Sequence, residues 1–202
     1  MKSSLALFLS VTTLAVLTAC GGGGGDNNTT GGTSNNIQAI NPLTKYVGSY
    51  QSCNGNHTNY VQKIAEATDT SISSTLRFDY YENANCSGAI VGNLIFPSPL
   101  TYKFDGNSTV STTGIQPTTV NLSVDKLLIS APQMTLSLIG TGVKNVNGQL
   151  CVTYTNGNTC PNSLNNPEVN GYAAAIYMNS SDLYLLLPSG SGYKVDTHST
   201  KI

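Results

Sequence analysis

Apolar and polar residues alternate with a period of two along most of the chain beyond residue 45. In TTVNLSVD, Val120, Leu122 and Val124 fall on one face, and Asn121, Ser123 and Asp125 on the other. QMTLSLIG sets Met134, Leu136 and Leu138 against Thr135 and Ser137, and LTYKFDG puts Leu100, Tyr102 and Phe104 on one side. Successive side chains of a strand point to opposite faces, so this pattern predicts half-buried strands. STLRFDYYE, GAIVGNLIF, YAAAIYM and LYLLLP are further runs of β-branched, aromatic or aliphatic residues. Turn signals separate the runs: Asp69-Thr70, Asn83 to Asn85, Asp105-Gly106-Asn107, Asn147-Gly148, Asn156-Gly157 and Ser180 to Asp182. SGSG, at Ser189 to Gly192, reads as a turn linker. YVQKIAEA places Val61, Ile64 and Ala65 at helical spacing, but it is short and uncapped and reads as a strand. Roughly eight to ten strands result, with no helix long enough for βαβ crossovers. The chain is therefore expected to be all-β: a single antiparallel β-barrel over residues 45–202, with a β-sandwich as the alternative.

Ahead of this body the pattern changes twice. Leu5 to Leu17, LALFLSVTTLAVL, is a predominantly apolar stretch behind Lys2. It matches the apolar core of an export signal and is too short to span a bilayer as a helix. Gly21 to Asn36, GGGGGDNNTTGGTSNN, has almost no apolar side chain and no period. It cannot bury enough surface to offset its ordering entropy, so it reads as a flexible tether. Between the two lies Leu17-Thr18-Ala19-Cys20. This tetrad resembles the lipobox of bacterial lipoproteins. The resemblance implies that residues 1–19 are a signal peptide cut before Cys20, whose thiol then carries diacylglycerol and whose amino group is acylated. Two or three acyl chains anchor stably where one holds only marginally. In that family an aspartate after the cysteine tends to retain the protein at the inner membrane. Here Gly21 follows and the first acid is Asp26, which implies the outer membrane. Residues 20–44 then form the lipidated cysteine and its tether.

Cys20 also resolves an odd count of five cysteines. The remaining four allow three pairings, of which Cys53–Cys86 and Cys151–Cys160 are favoured. The second pair flanks CVTYTNGNTC, where an Asn-Gly turn between two β-prone runs would bring the cysteines together. An exported protein occupies a compartment where disulfides persist. A four-cysteine zinc site would need paired spacings that this chain lacks.

Charged residues make up only 9% of the chain and the net charge is −1. Without a basic patch, nucleic acid is not an expected partner. His57, in the polar loop CNGNHTN, and His198, in the polar tail DTHSTKI, read as solvated. The acids Glu66, Asp69, Asp79, Glu82, Asp105, Asp125, Glu168, Asp182 and Asp196 are scattered, most of them near turns. No Gly-x-Ser-x-Gly elbow occurs. The sequence therefore implies no catalytic residue, no metal site and no cofactor. Tyrosine is the one enriched aromatic, with eleven copies. Tyr80, Tyr81, Tyr102, Tyr172, Tyr177 and Tyr184 fall in predicted strands, where they serve as core or as a recognition face.

Gly48, Tyr50 and Cys53 in YVGSYQSC, then Tyr80 and Cys86 around YYENANCSG, resemble a group of small bacterial lipoproteins with a lipocalin-like barrel body. With the lipobox and the lack of catalytic motifs, the expectation is a membrane-anchored, non-enzymatic protein. Its partners would be the membrane, through the lipid, and a small apolar ligand or another envelope component. A surface-exposed, adhesin-like role is the alternative, and a hydrolase a more remote one.

Overall fold

The computed structural model describes residues 41–115 and 121–202. The signal, Cys20 and most of the tether lie outside the described residues. A 3₁₀ turn, Thr44–Tyr46, precedes β1 (Gly48–Cys53), β2 (Thr58–Thr68), β3 (Ser71–Asn83), β4 (Ser87–Ile95), β5 (Leu100–Val110) and β6 (Thr112–Thr113). Then come β7 (Leu122–Ala131), β8 (Met134–Thr135), β9 (Ser137–Ile139), β10 (Val143–Val146), β11 (Gln149–Tyr154) and β12 (Gly157–Thr159). The chain ends with β13 (Asn165–Asn166), β14 (Val169–Asn179), β15 (Asp182–Ser189) and β16 (Gly192–Lys201).

Eight of these strands close into an antiparallel barrel, in the order β1-β2-β3-β5-β7-β14-β15-β16 and back to β1. YVQKIAEA is indeed strand, within β2. β3 changes partner along its length within the one sheet. Its first residues, Ser71 to Ser74, pair with β5 inside the barrel. Its later residues, from Arg77, pair with β4, which pairs in turn with β9. β4 and β9 thus branch from the wall as a flap. The chain returns from the flap through Phe96-Pro97-Ser98-Pro99, where the prolines lack the N–H that a ladder needs.

Alternation sorts the side chains as the sequence pattern requires. Ile72, Tyr102, Ile129 and Tyr172 face one another across β3, β5, β7 and β14. With Ile64, Leu127, Ala174, Ile176 and Leu183 they form one cluster that fills the barrel. Its polar members are satisfied: the Gln62 amide donates to Ser74 Oγ at 2.7 Å and to the Tyr102 hydroxyl at 3.2 Å. At the end marked by the β2–β3 turn, Leu43, Tyr46 and Tyr50 are fully or almost fully buried and close the barrel. Asn41 holds this plug in place by donating to the carbonyls of Thr68 (2.8 Å) and Ser71 (2.9 Å). A second cluster, with Tyr80, Leu94, Met134, Leu136, Leu138 and Val152, packs along the later half of β3 and the flap. Leu100 touches both clusters.

Three local expectations change. Asp105-Gly106-Asn107 is a bulge within β5, where the register with β7 shifts between Phe104 and Asn107. Gly106 takes φ +91°, a conformation that glycine adopts without strain. Asp125 does not lie on a solvent face. Leu122 and Val124 point outward, into a third cluster with Ile115, Ala175 and Leu186, and Asp125 points inward. DTHSTKI is not a tail: it is the end of β16 and closes the ring against β1. The turn at Asn147-Gly148 is as expected, with both residues at positive φ joining β10 to β11.

The buried phenols give a pH test. Burial is the main cause raising Tyr60, Tyr80 and Tyr102, the last two to about 12. The unfolded value is about 10. For Tyr80 and Tyr102 the stabilising contribution is therefore complete below pH ~10 and is lost as pH rises through ~12. A near-ultraviolet titration should show exposed tyrosines ionising first. A later step should then coincide with loss of the β circular dichroism. A single wave of ionisation near pH 10, with the β signal intact, would contradict the packing described.

Candidate functional site

Both expected disulfides are present. Cys53–Cys86 joins the end of β1 to the β3–β4 turn, with Cα atoms 5.9 Å apart. Cys151–Cys160 closes the β11–β12 hairpin at a Cα separation of 4.2 Å. The register of that hairpin pairs Tyr154 with Gly157, so the turn falls on Thr155-Asn156. Cys20, the expected lipid site, lies outside the described residues.

The first disulfide borders a groove in the barrel's outer wall. β1 and β16 pair only at Tyr50↔Lys201 and Gln51↔Thr200. Ser52, Cys53, His198 and Ser199 would continue this ladder, but they line an opening of about 510 Å³ instead. Asn59 on β2, Tyr81 on β3, and Asn85 and Cys86 in the following turn complete the lining. The turn is held against the β1–β2 loop: the backbone N–H groups of Asn85 and Cys86 donate to the carbonyls of Gly55 and Asn56. The disulfide and these bonds fix one wall of the groove.

Neither histidine is the free loop residue that the sequence suggested. His57 Nδ1 donates to the Tyr81 carbonyl at 2.9 Å, and its ring stacks on Tyr154 with centroids 3.9 Å apart. His198 remains exposed but is positioned. Its Nε2 donates to Asp182 Oδ1 at 3.0 Å, and one ring face lies on Tyr184 at 4.5 Å, nearly parallel. The hydrogen bonds from His198 and Thr200 hold the Asp182 carboxyl below its ordinary range. Tyr80 and Tyr102 are core, and Tyr172, Tyr177 and Tyr184 pack against it. Tyr81 alone of the six borders the groove.

Two buried carboxylates complete the electrostatics. Asp79, 2% exposed, accepts both nitrogens of the Arg77 fork, at 2.6 and 2.9 Å, and the Asn93 amide at 2.6 Å. Asp125 lies under the plug and accepts the Tyr46 hydroxyl at 2.6 Å, Lys45 Nζ at 2.7 Å and the Asn107 amide. Burial first, and then the Asp125 hydrogen bond, raises the Tyr46 phenol, which stays protonated and donates. Both carboxylates act as structural anchors, each saturated by its own donors.

Among the described residues, no three His, Cys, Asp or Glu side chains gather where they could hold a metal ion. The groove residues Gln51 and Asn59 were not singled out by sequence. Their only signal is a position beside Cys53 and Cys86, and that becomes spatial only once the barrel closes. Compared with known proteins, the chain matches no family model, no curated protein and no solved structure.

Proposed function

We propose that this protein is a non-enzymatic lipoprotein, anchored at the outer membrane through Cys20, whose barrel acts by contacts on its outer wall with another envelope component. The observation that carries the reading is the filled interior. An eight-stranded barrel has room for its own side chains or for one small ligand. Here the central cluster occupies that space, and Tyr50, Ile72, Tyr102 and Leu127 are at most 1% exposed. The plug at Leu43 and Tyr46 removes one entrance. An apolar ligand inside the barrel therefore has no place, and recognition falls to the outer surface. The lipobox resemblance supports the anchor, and Gly21 after the cysteine supports the outer membrane.

A fluorescent fatty-acid analogue tests the interior. It is titrated into the chain from Gly21 onward, exported with an ordinary signal so that no detergent is needed. The expected result is no saturable change in emission. Saturable one-to-one binding would overturn the outer-wall reading and restore an internal apolar ligand.

A further inference from the structure

We infer that the groove at the β1–β16 seam binds a short, uncharged oligosaccharide, an inference that rests on the proposal that the barrel works from its outer wall. The groove's volume, about 510 Å³, lies within the range of ~300–1,000 Å³ usual for ligand sites. Its lining offers the amides of Gln51, Asn59 and Asn85, the hydroxyls of Thr200 and Tyr81, and the His198 ring. Much of this capacity is unspent. Among the described residues, Asn59 makes one side-chain bond, its amide donating weakly to Gln51 Oε1 at 3.4 Å. Among the described residues, Asn59 Oδ1, Gln51 Nε2 and the Tyr81 hydroxyl make no side-chain hydrogen bond, and none of them is sealed from solvent. They are free to exchange water for the hydroxyls of a ligand.

A sugar matches these groups. Each hydroxyl both donates and accepts, as an amide does across its two ends. The C–H face of the ring packs on an aromatic face. Other ligand classes fit less well. No lysine or arginine lines the groove, so an anion finds no counter-charge. Asp79 is neutralised by Arg77, and among the described residues no three His, Cys, Asp or Glu side chains gather to hold a metal cation. A peptide strand would need a longer free edge, because the open ladder covers only Ser52, Cys53, His198 and Ser199. An acyl chain would meet amides.

The full lipoprotein, solubilised in a non-ionic, non-glycosidic detergent, is applied to an array of neutral oligosaccharides and of oligosaccharides bearing uronate or sialate. Affinities are then measured by titration. The proposal expects saturable binding to neutral members. It expects a loss of about tenfold for Tyr81→Ala or Gln51→Ala, each removing at least one contact. Asn170→Ala, beside a different cavity between β7 and β14, should leave binding unchanged. Peptide mapping of the two disulfides confirms that each variant has folded. Three results would overturn the proposal: no saturable binding, binding confined to the acidic members, or binding that Tyr81→Ala and Gln51→Ala leave unchanged. Failure on the array leaves the outer-wall reading standing, because that reading falls only if the fatty-acid analogue binds inside.

Discussion

Asp125→Ala is expected to destabilise the barrel by about 1.5–3 kcal/mol, chiefly through loss of the hydrogen bond that the buried Tyr46 hydroxyl makes to the carboxylate. Asp125 is 2% exposed and gathers three donors from two separate segments: Tyr46 and Lys45 in the plug, Asn107 in the β5 bulge. Alanine would take from the Tyr46 hydroxyl, itself 2% exposed, its charged acceptor and leave it the 3.2 Å bond to the Ile176 carbonyl, while the exposed Asn107 amide can turn to water. A hydrogen bond to a charged group contributes about 1.5–3 kcal/mol. Lys45 contributes least, because its half-exposed side chain can turn back to water. Asp125→Asn keeps one acceptor oxygen and should lose less than half as much. Urea unfolding measures both variants, with a lower midpoint and an unchanged slope expected. A loss below ~1 kcal/mol for Asp125→Ala would mean that the carboxylate is not holding the plug to the wall.

The second large effect is expected from Cys53→Ala together with Cys86→Ala. The bridge spans 33 residues, against 9 for Cys151–Cys160. Loop entropy alone assigns roughly 3.8 kcal/mol to the longer bridge and 2.7 kcal/mol to the shorter. The longer bridge also ties β1 to the β3–β4 turn where β1 and β16 have parted, so on that side of β1 no ladder pairing backs it. Removing both cysteines at once avoids a free thiol and isolates the cross-link. The expected result is a loss near 4 kcal/mol for this pair and a smaller one for Cys151→Ala with Cys160→Ala. Equal losses would contradict the assignment of unequal loops.

The barrel was legible because its signal is local. Period two marks a strand whatever its neighbours, and the turns at Asp69-Thr70 and Asn147-Gly148 separate strands without reference to the rest of the chain, while the turn expected at Asn156-Gly157 falls one residue earlier, on Thr155-Asn156. The Cys151–Cys160 bridge was legible for the same reason, since one hairpin contains it. Alternation does not say which face is inside, and β7 shows the consequence. Leu122 and Val124 face outward and Leu127 and Ile129 inward, so a strand apolar on both sides conceals the inward turn of Asp125. Asp105-Gly106-Asn107 carries turn chemistry, but β7 pairs on both sides of it and absorbs it as a bulge. His198 was hidden in a polar stretch because β16 presents much of its side-chain surface to water. Leu43 falls in the stretch assigned to the tether because the apolar residues from Ile37 to Leu43 follow neither a strand nor a helix period. The groove was the least legible feature. It joins Gln51 to Thr200 and Asn59 to Tyr81, contacts that exist only after the two ends of the barrel have met.

The measurement that bears most directly on the account is the intact mass of the protein extracted from its own envelope, taken beside the membrane partitioning of Cys20→Ser. The account predicts a chain beginning at Cys20, with diacylglycerol on its thiol and an acyl group on its new amino terminus. It also predicts that Cys20→Ser loses the lipid and leaves the membrane fraction. An envelope-extracted chain that begins elsewhere or carries no lipid, with Cys20→Ser still sedimenting with membranes, would contradict it.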